Sequence, residues 1–114
     1  MILTPQHVLE AVAESFRIST ADIRSTQRTM DITRAREVYV GVCRFLRHSY
    51  PEISATFGRT GGGFVETNSR WQSGFAPCER RWWVDHVLAR YGIPSVDGLG
   101  GALAEKFRYE QKVA

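Results

Sequence analysis

The sequence predicts an all-α fold, on three observations. Apolar residues recur at spacings of three and four along most of the chain, with no stretch of strict alternation. Helix starts are marked by Thr4-Pro5, Ser19-Thr20-Ala21-Asp22 and Ser49-Tyr50-Pro51-Glu52, where a hydroxyl stands ready to cap and proline or an acid follows. Glycines at 58 and 92 stand where helices should stop.

The first helix opens with Thr4 as N-cap and Pro5 at the first helical position, where its missing N–H costs nothing. Leu9, Val12, Ala13 and Phe16 give it one buried face, with Glu10 and Glu14 outside. Ser19 starts a short second helix, stapled to the core by Ile18 and Ile23. The polar stretch from Ser25 to Met30 is a loop with Arg28 at its middle, able to project one arginine away from the body.

Asp31 is expected to cap a third helix running from Ile32 to about His48, with Ala35, Tyr39, Val42, Cys43 and Leu46 on one face. Gly41 inside it costs up to about 1 kcal/mol relative to alanine, which predicts a close helix crossing at that point. Arg34 and Arg36 lie in the first turns, where positive charge opposes the helix dipole, so an external anion would account for them. Ser49 and Glu52 form a capping box for a short fourth helix holding Ile53, Ala55 and Phe57, which Gly58 ends. A short helix, a glycine turn and a further helix make a helix-turn-helix.

The run Gly61-Gly62-Gly63 is a poor helix start, so a fifth helix is expected over roughly 63–72. The turn-rich stretch 72–77 divides a region 1–72 from a C-terminal extension, 73–114, packed on it. Two further helices are expected there. One runs from Glu79 to Tyr91 with Trp83, Val87, Leu88 and Tyr91 inward, and the other from about Leu99 to Lys112 with Leu99, Ala102, Leu103 and Phe107 on a face. The pair Trp82-Trp83 is assigned to the core in preference to a partner surface, with Trp82 next to the buried face and expected to be partly exposed.

Composition narrows the function. The chain has 114 residues, 43% hydrophobic and 24% charged, which suits one globular domain. No run approaches the roughly 18 apolar residues of a membrane span, and the N-terminus has neither a charged n-region nor a cleavage motif, so a cytoplasmic, nucleoid-associated location is expected. Cys43 and Cys78 stand 35 positions apart without a CxxC pattern, which argues against zinc or a disulfide scaffold; Cys43 is read as a core residue.

His7, His48 and His86 fall on separate helices with no nucleophile or paired carboxylate at a recognisable spacing, so no enzyme, metal or cofactor is expected. Net charge is only +3, but between Arg17 and Arg59 there are eight arginines against four acids. Arginine suits bidentate phosphate contact.

These pieces resemble the C-terminal DNA-binding domain of the bacterial replication initiator DnaA, a Trp-repressor-like helix-turn-helix bundle. The likeness covers LTPQHVLEAVAESFRISTADIRS, the arginine-bearing loop, DITRAREVYV and SYPEISATFGR, from Leu3 to about Phe64. It implies double-stranded DNA as partner. Arg28 would then enter the minor groove, Arg34, Arg36 and Arg59 would hold phosphates, and Ser49 would lie at the same face. In that family the next helix opens with an Asp-His-Thr-Thr run that reads bases; here Thr60, Gly61, Gly62 and Gly63 occupy it.

Glycine has no side chain to discriminate base edges, whereas phosphate contact needs only arginines and backbone N–H groups, so altered or relaxed specificity is expected. Asn68 and Arg70 remain as possible readers. The family's ATPase loop has no Gly-Lys-Ser/Thr counterpart here, and no nucleotide is expected. The expectation is a transcription regulator, standing alone or within a longer protein and compatible with a phage-like element. The C-terminal helices would be a surface for RNA polymerase or another regulatory protein. The alternative is a protein-interaction module built on a helix-turn-helix that has given up reading DNA.

Overall fold

The computed structural model describes residues 3–58 and 63–93, and these contain six helices and no strand. They are α1 (Pro5–Phe16), α2 (Thr20–Arg24), α3 (Met30–Phe45), α4 (Tyr50–Phe57), α5 (Phe64–Gly74) and α6 (Pro77–Arg90). The all-α fold read from periodicity is therefore the fold observed. The helix expected over 99–112, the divide at 73 as far as it concerns residues beyond 93, and Arg59, Thr60, Gly61 and Gly62 lie outside the described residues.

The caps explain the helix starts. At α1 the Thr4 hydroxyl accepts the His7 N–H, and the His7 Nδ1 accepts the Thr4 N–H at 3.1 Å, a reciprocal box in which histidine takes the place of the usual glutamate. At α4 the Ser49 Oγ accepts the Glu52 N–H at 3.3 Å while the Glu52 Oε1 accepts the Ser49 N–H at 3.2 Å. Those bonds from the Ser49 N–H and hydroxyl hold the Glu52 carboxyl below the usual range.

Two results are expected from this box. Ser49→Ala lowers stability by about 1 kcal/mol, measured by urea unfolding. Because the folded carboxyl titrates below its unfolded value, its contribution is full above the unfolded value and is lost as pH falls through the folded one. Melts of Glu52→Gln should accordingly be less acid-sensitive than those of the parent in that window.

α3 starts two residues earlier than the sequence suggests. Thr29 is its N-cap, and Asp31 sits in the first turn, where its charge complements the dipole. The helix also stops short of His48. Arg47 adopts φ 73°, and the His48 N–H reaches the Cys43 carbonyl at 3.0 Å, closing a Schellman-type end. Arg17 ends α1 in the same way at φ 55°, with the Ile18 N–H on the Ala13 carbonyl. Neither stop is visible to a rule that looks for glycine. Gly58, at φ 71°, ends α4 as expected.

α3 is the central helix: α1, α2, α4, α5 and α6 all pack on it. Its burial therefore extends beyond the single face expected and includes Val38, Val40 and Gly41. Tyr39 stacks on Phe57 at 5.1 Å and donates its hydroxyl to the Ile53 carbonyl at 3.1 Å, locking α4 onto α3. Phe57 meets Phe64 edge-on, which ties in the start of α5. Cys43 is buried among these residues, and burial pushes its thiol pKa well up.

Gly41 marks the crossing of α3 and α5. A Cβ built there would lie 2.1 to 2.4 Å from atoms of the Trp71 ring, so the indole occupies the space an alanine would need. The glycine in mid-helix has the packing reason its cost implied.

α6 closes the other side. Phe16 and Trp83 stack at 5.1 Å, the Tyr91 hydroxyl donates to the His7 carbonyl at 2.6 Å, and Arg90 pairs with Glu14. Val84, Val87 and Leu88 are buried. The two tryptophans divide: Trp83 is half-buried, whereas Trp82 is 56% exposed and stacks on His86. The preference for the core holds for Trp83 and is corrected for Trp82: the inward arc of α6 is set by Trp83, Val84, Val87 and Leu88, and Trp82 falls outside it.

Candidate nucleic-acid interface

The three arginines around the start of α3 have different surroundings. Arg28 is exposed at the middle of the loop joining α2 to α3. Arg36 points back at that loop. Its Nε donates to the Ile23 carbonyl at 2.7 Å, its Nη1 to the Gln27 carbonyl at 2.6 Å and its Nη2 to the Ser25 carbonyl. The loop adds its own bonds, from the Ser25 hydroxyl to the Asp22 carbonyl and from the Gln27 N–H to the Ser25 hydroxyl.

Arg34 turns towards the opposite element. Its Nη1 donates to the Gly74 carbonyl at 3.3 Å, and its guanidinium lies 4.6 Å over the Phe75 ring. It also stands 3.9 Å from Glu37. The first turns of α3 are thereby bonded to the end of α5, so the Arg28 loop lies towards the C-terminal end of α5. Carbonyl oxygens within the fold thus take up donors of Arg34 and Arg36 that the sequence reading had offered to an external anion.

α5 sets its own orientation by phase. Phe64, Trp71 and Phe75 are buried and share a side. Asn68, four residues after Phe64 and three before Trp71, falls on that side too, and its Oδ1 is buried without a hydrogen-bond partner. Asn68 therefore presents no acceptor to a ligand outside the helix. The exposed side carries Val65, Glu66, Ser69, Arg70, Gln72 and Ser73. Arg70 is exposed, and its Nη2 lies 2.9 Å from Glu66 Oε1.

Val65, Glu66, Ser69, Gln72 and Ser73 were missed as surface positions. The signal that could have found them was the phase fixed by Phe64 and Trp71. Gly63 precedes the helix at φ 103° and offers no side-chain cap, leaving the first-turn N–H groups uncapped by it.

Ser49 is half-buried and already engaged in the α4 cap. Of the positions singled out in the sequence, the structure thus describes Arg28, Arg34, Arg36, Ser49, Gly63, Asn68 and Arg70; Arg28, Arg34 and Arg70 are exposed, Arg34 with its guanidinium on the Gly74 carbonyl and the Phe75 ring. The histidines hold structural positions: His7 in the α1 cap, His48 Nε2 2.7 Å from the Leu3 carbonyl oxygen, and His86 Nε2 2.8 Å from the Ser15 hydroxyl. No helix among the described residues is long and apolar enough to cross a membrane.

Comparison with known proteins places this layout. Over 57 residues the chain is 35% identical to the chromosomal replication initiator protein DnaA of Pelobacter propionicus, a stretch that makes up 49% of this chain and 13% of that protein. Its identity to the protein of the same name from Citrifermentans bemidjiense is also 35% over 57 residues, covering 49% of this chain and 12% of that protein. With that from Dechloromonas aromatica it is 38% over 53 residues, 46% of this chain and 11% of the other. The chain thus corresponds to a small fraction of the length of these relatives. No solved structure matches it. The family described as bacterial DnaA protein helix-turn-helix matches residues 5–61, which takes in α1 to α4 and the arginine loop, and the chain belongs to that family.

Proposed function

We propose that this chain binds double-stranded DNA, with the Arg28 loop in the minor groove and the exposed side of α5 towards the major groove, and that it regulates transcription with relaxed base specificity. The observation that carries the reading is Arg28 itself. It is exposed at the centre of a loop that is otherwise tied down, within the region matching the DnaA helix-turn-helix. An exposed arginine on a rigid arm suits the narrow, electronegative minor groove.

Relaxed specificity follows from what α5 shows outward. Two serines, one valine and an arginine already paired with glutamate leave Gln72 as the main exposed group for bidentate base contact, which is little for a specific reader. Phosphate attraction then dominates, and the affinity is steeply salt-dependent.

The test is a mobility-shift titration of random and pool-selected duplexes at several salt concentrations. Binding to both with little preference, weakening steeply with salt, is the expected result. Absence of binding to any duplex at low salt would overturn the reading. That outcome would favour the second one, a protein-interaction module, which rests on the exposed Trp82 and its stack on His86. RNA polymerase is the partner to try first if the protein acts at promoters.

A further inference from the structure

We infer that Arg36 is a positioning residue for DNA binding: it acts on DNA through Arg28, by holding the α2–α3 loop in the conformation that presents it, and does not itself hold a phosphate. The inference rests on the DNA-binding reading above and adds a division of labour among its arginines.

The geometry is specific. One planar guanidinium meets the carbonyls of residues 23, 25 and 27, the three alternate residues leading up to Arg28. Ile23 lies in α2 and is fully buried, so the first of these bonds anchors the clamp to the core. The last, at Gln27, fixes the peptide that leads directly into Arg28. Thr29 then caps α3, so the arm is held on both sides of the arginine.

Only arginine supplies donors in a fixed planar fork; a lysine ammonium offers its three from a single point and cannot span carbonyls spread over five residues. A loop ordered before it meets DNA loses less conformational freedom on binding, and the saving appears as affinity. A guanidinium aimed at its own loop presents fewer donors to a phosphate than a free one.

A double-mutant cycle tests this, with binding to a random duplex followed by fluorescence anisotropy at fixed low salt and then across salt. Arg36→Lys keeps the charge and loses the fork. It is expected to weaken binding about as much as Arg28→Ala, roughly tenfold, and to lower the salt slope by about one. The double variant should bind no more weakly than Arg28→Ala alone, since both changes remove the same contact. Wild-type affinity in Arg36→Lys, or losses in the double variant that multiply, would overturn the inference in favour of a separate phosphate contact.

A second variant covers the case in which Arg36 substitutions unfold the domain. Thr26→Gly with Gln27→Gly mobilises the exposed part of the loop and leaves Arg36 and Arg28 in place. With the parent's circular dichroism retained, it should also bind several-fold more weakly, and unchanged affinity would count against preorganisation. If the parent itself binds no duplex, the DNA-binding reading fails, an outcome distinct from every failure of the positioning role.

Discussion

Replacing Gly41 by alanine is expected to destabilise the domain by about 2 kcal/mol, although alanine is the better helix former. The gain in helix propensity is about 1 kcal/mol. Against it stands a Cβ that would approach the Trp71 ring to 2.1 Å. The indole is 3% exposed and packed against Phe75, so it cannot turn aside without opening the α3–α5 contact. Overpacking of this kind costs roughly 1 to 3 kcal/mol, and a contact this short belongs at the upper end.

Thermal melts followed by circular dichroism should show the midpoint falling by about 10 °C for a domain of this size. Trp71→Phe, which shrinks the ring, should recover part of the loss when combined with Gly41→Ala, a coupling that only a direct clash predicts. A midpoint equal to or above the parent's would show that α5 sits elsewhere. Since the proposed major-groove side belongs to α5, the same variant should also bind DNA more weakly.

Arg28→Ala is expected to have the largest effect on binding with almost none on folding. Its side chain is exposed, and removing it disturbs no core contact. If the arginine lies in the minor groove, its loss should weaken duplex binding at low salt roughly tenfold and reduce the slope of log affinity against log salt by about one. Arg70→Ala is the useful comparison. Arg70 is equally an exposed arginine, but Glu66 lies 2.9 Å away and offsets its charge, so its removal should change affinity much less. Equal effects of the two substitutions would mean that binding senses overall charge and not the arm.

Much of this was open to reading from the residues because it is local. Thr4, Ser49, Pro5, Pro51 and Gly58 act within three or four residues of themselves, through caps and backbone preferences, and their helices start and stop where those preferences predict. The phase of α5 was equally local, but the expectation that Asn68 reads bases did not use it. Stops at Arg17 and Arg47 escaped because a left-handed residue is recognised in sequence by glycine, and here arginine takes the conformation under the constraint of the Schellman-type bonds.

What the sequence by itself determined is the set of helices among the described residues, their order and the presence of an arginine on an exposed loop. Each depends on spacing, capping chemistry and residue type, all of which act over a few residues. The tertiary structure alone decided which partner each side chain takes. Arg34 and Arg36 differ by two positions and share the same chemistry, yet one reaches Gly74 and the other closes on Ile23, Ser25 and Gln27. Likewise Gly41 is required by an indole thirty positions away, and Trp82 and Trp83 part company at the surface. An arginine's donors go to whichever acceptors the packing brings within reach, and although Gly41 marks that a close crossing exists, nothing next to it in the sequence names Trp71 as the partner.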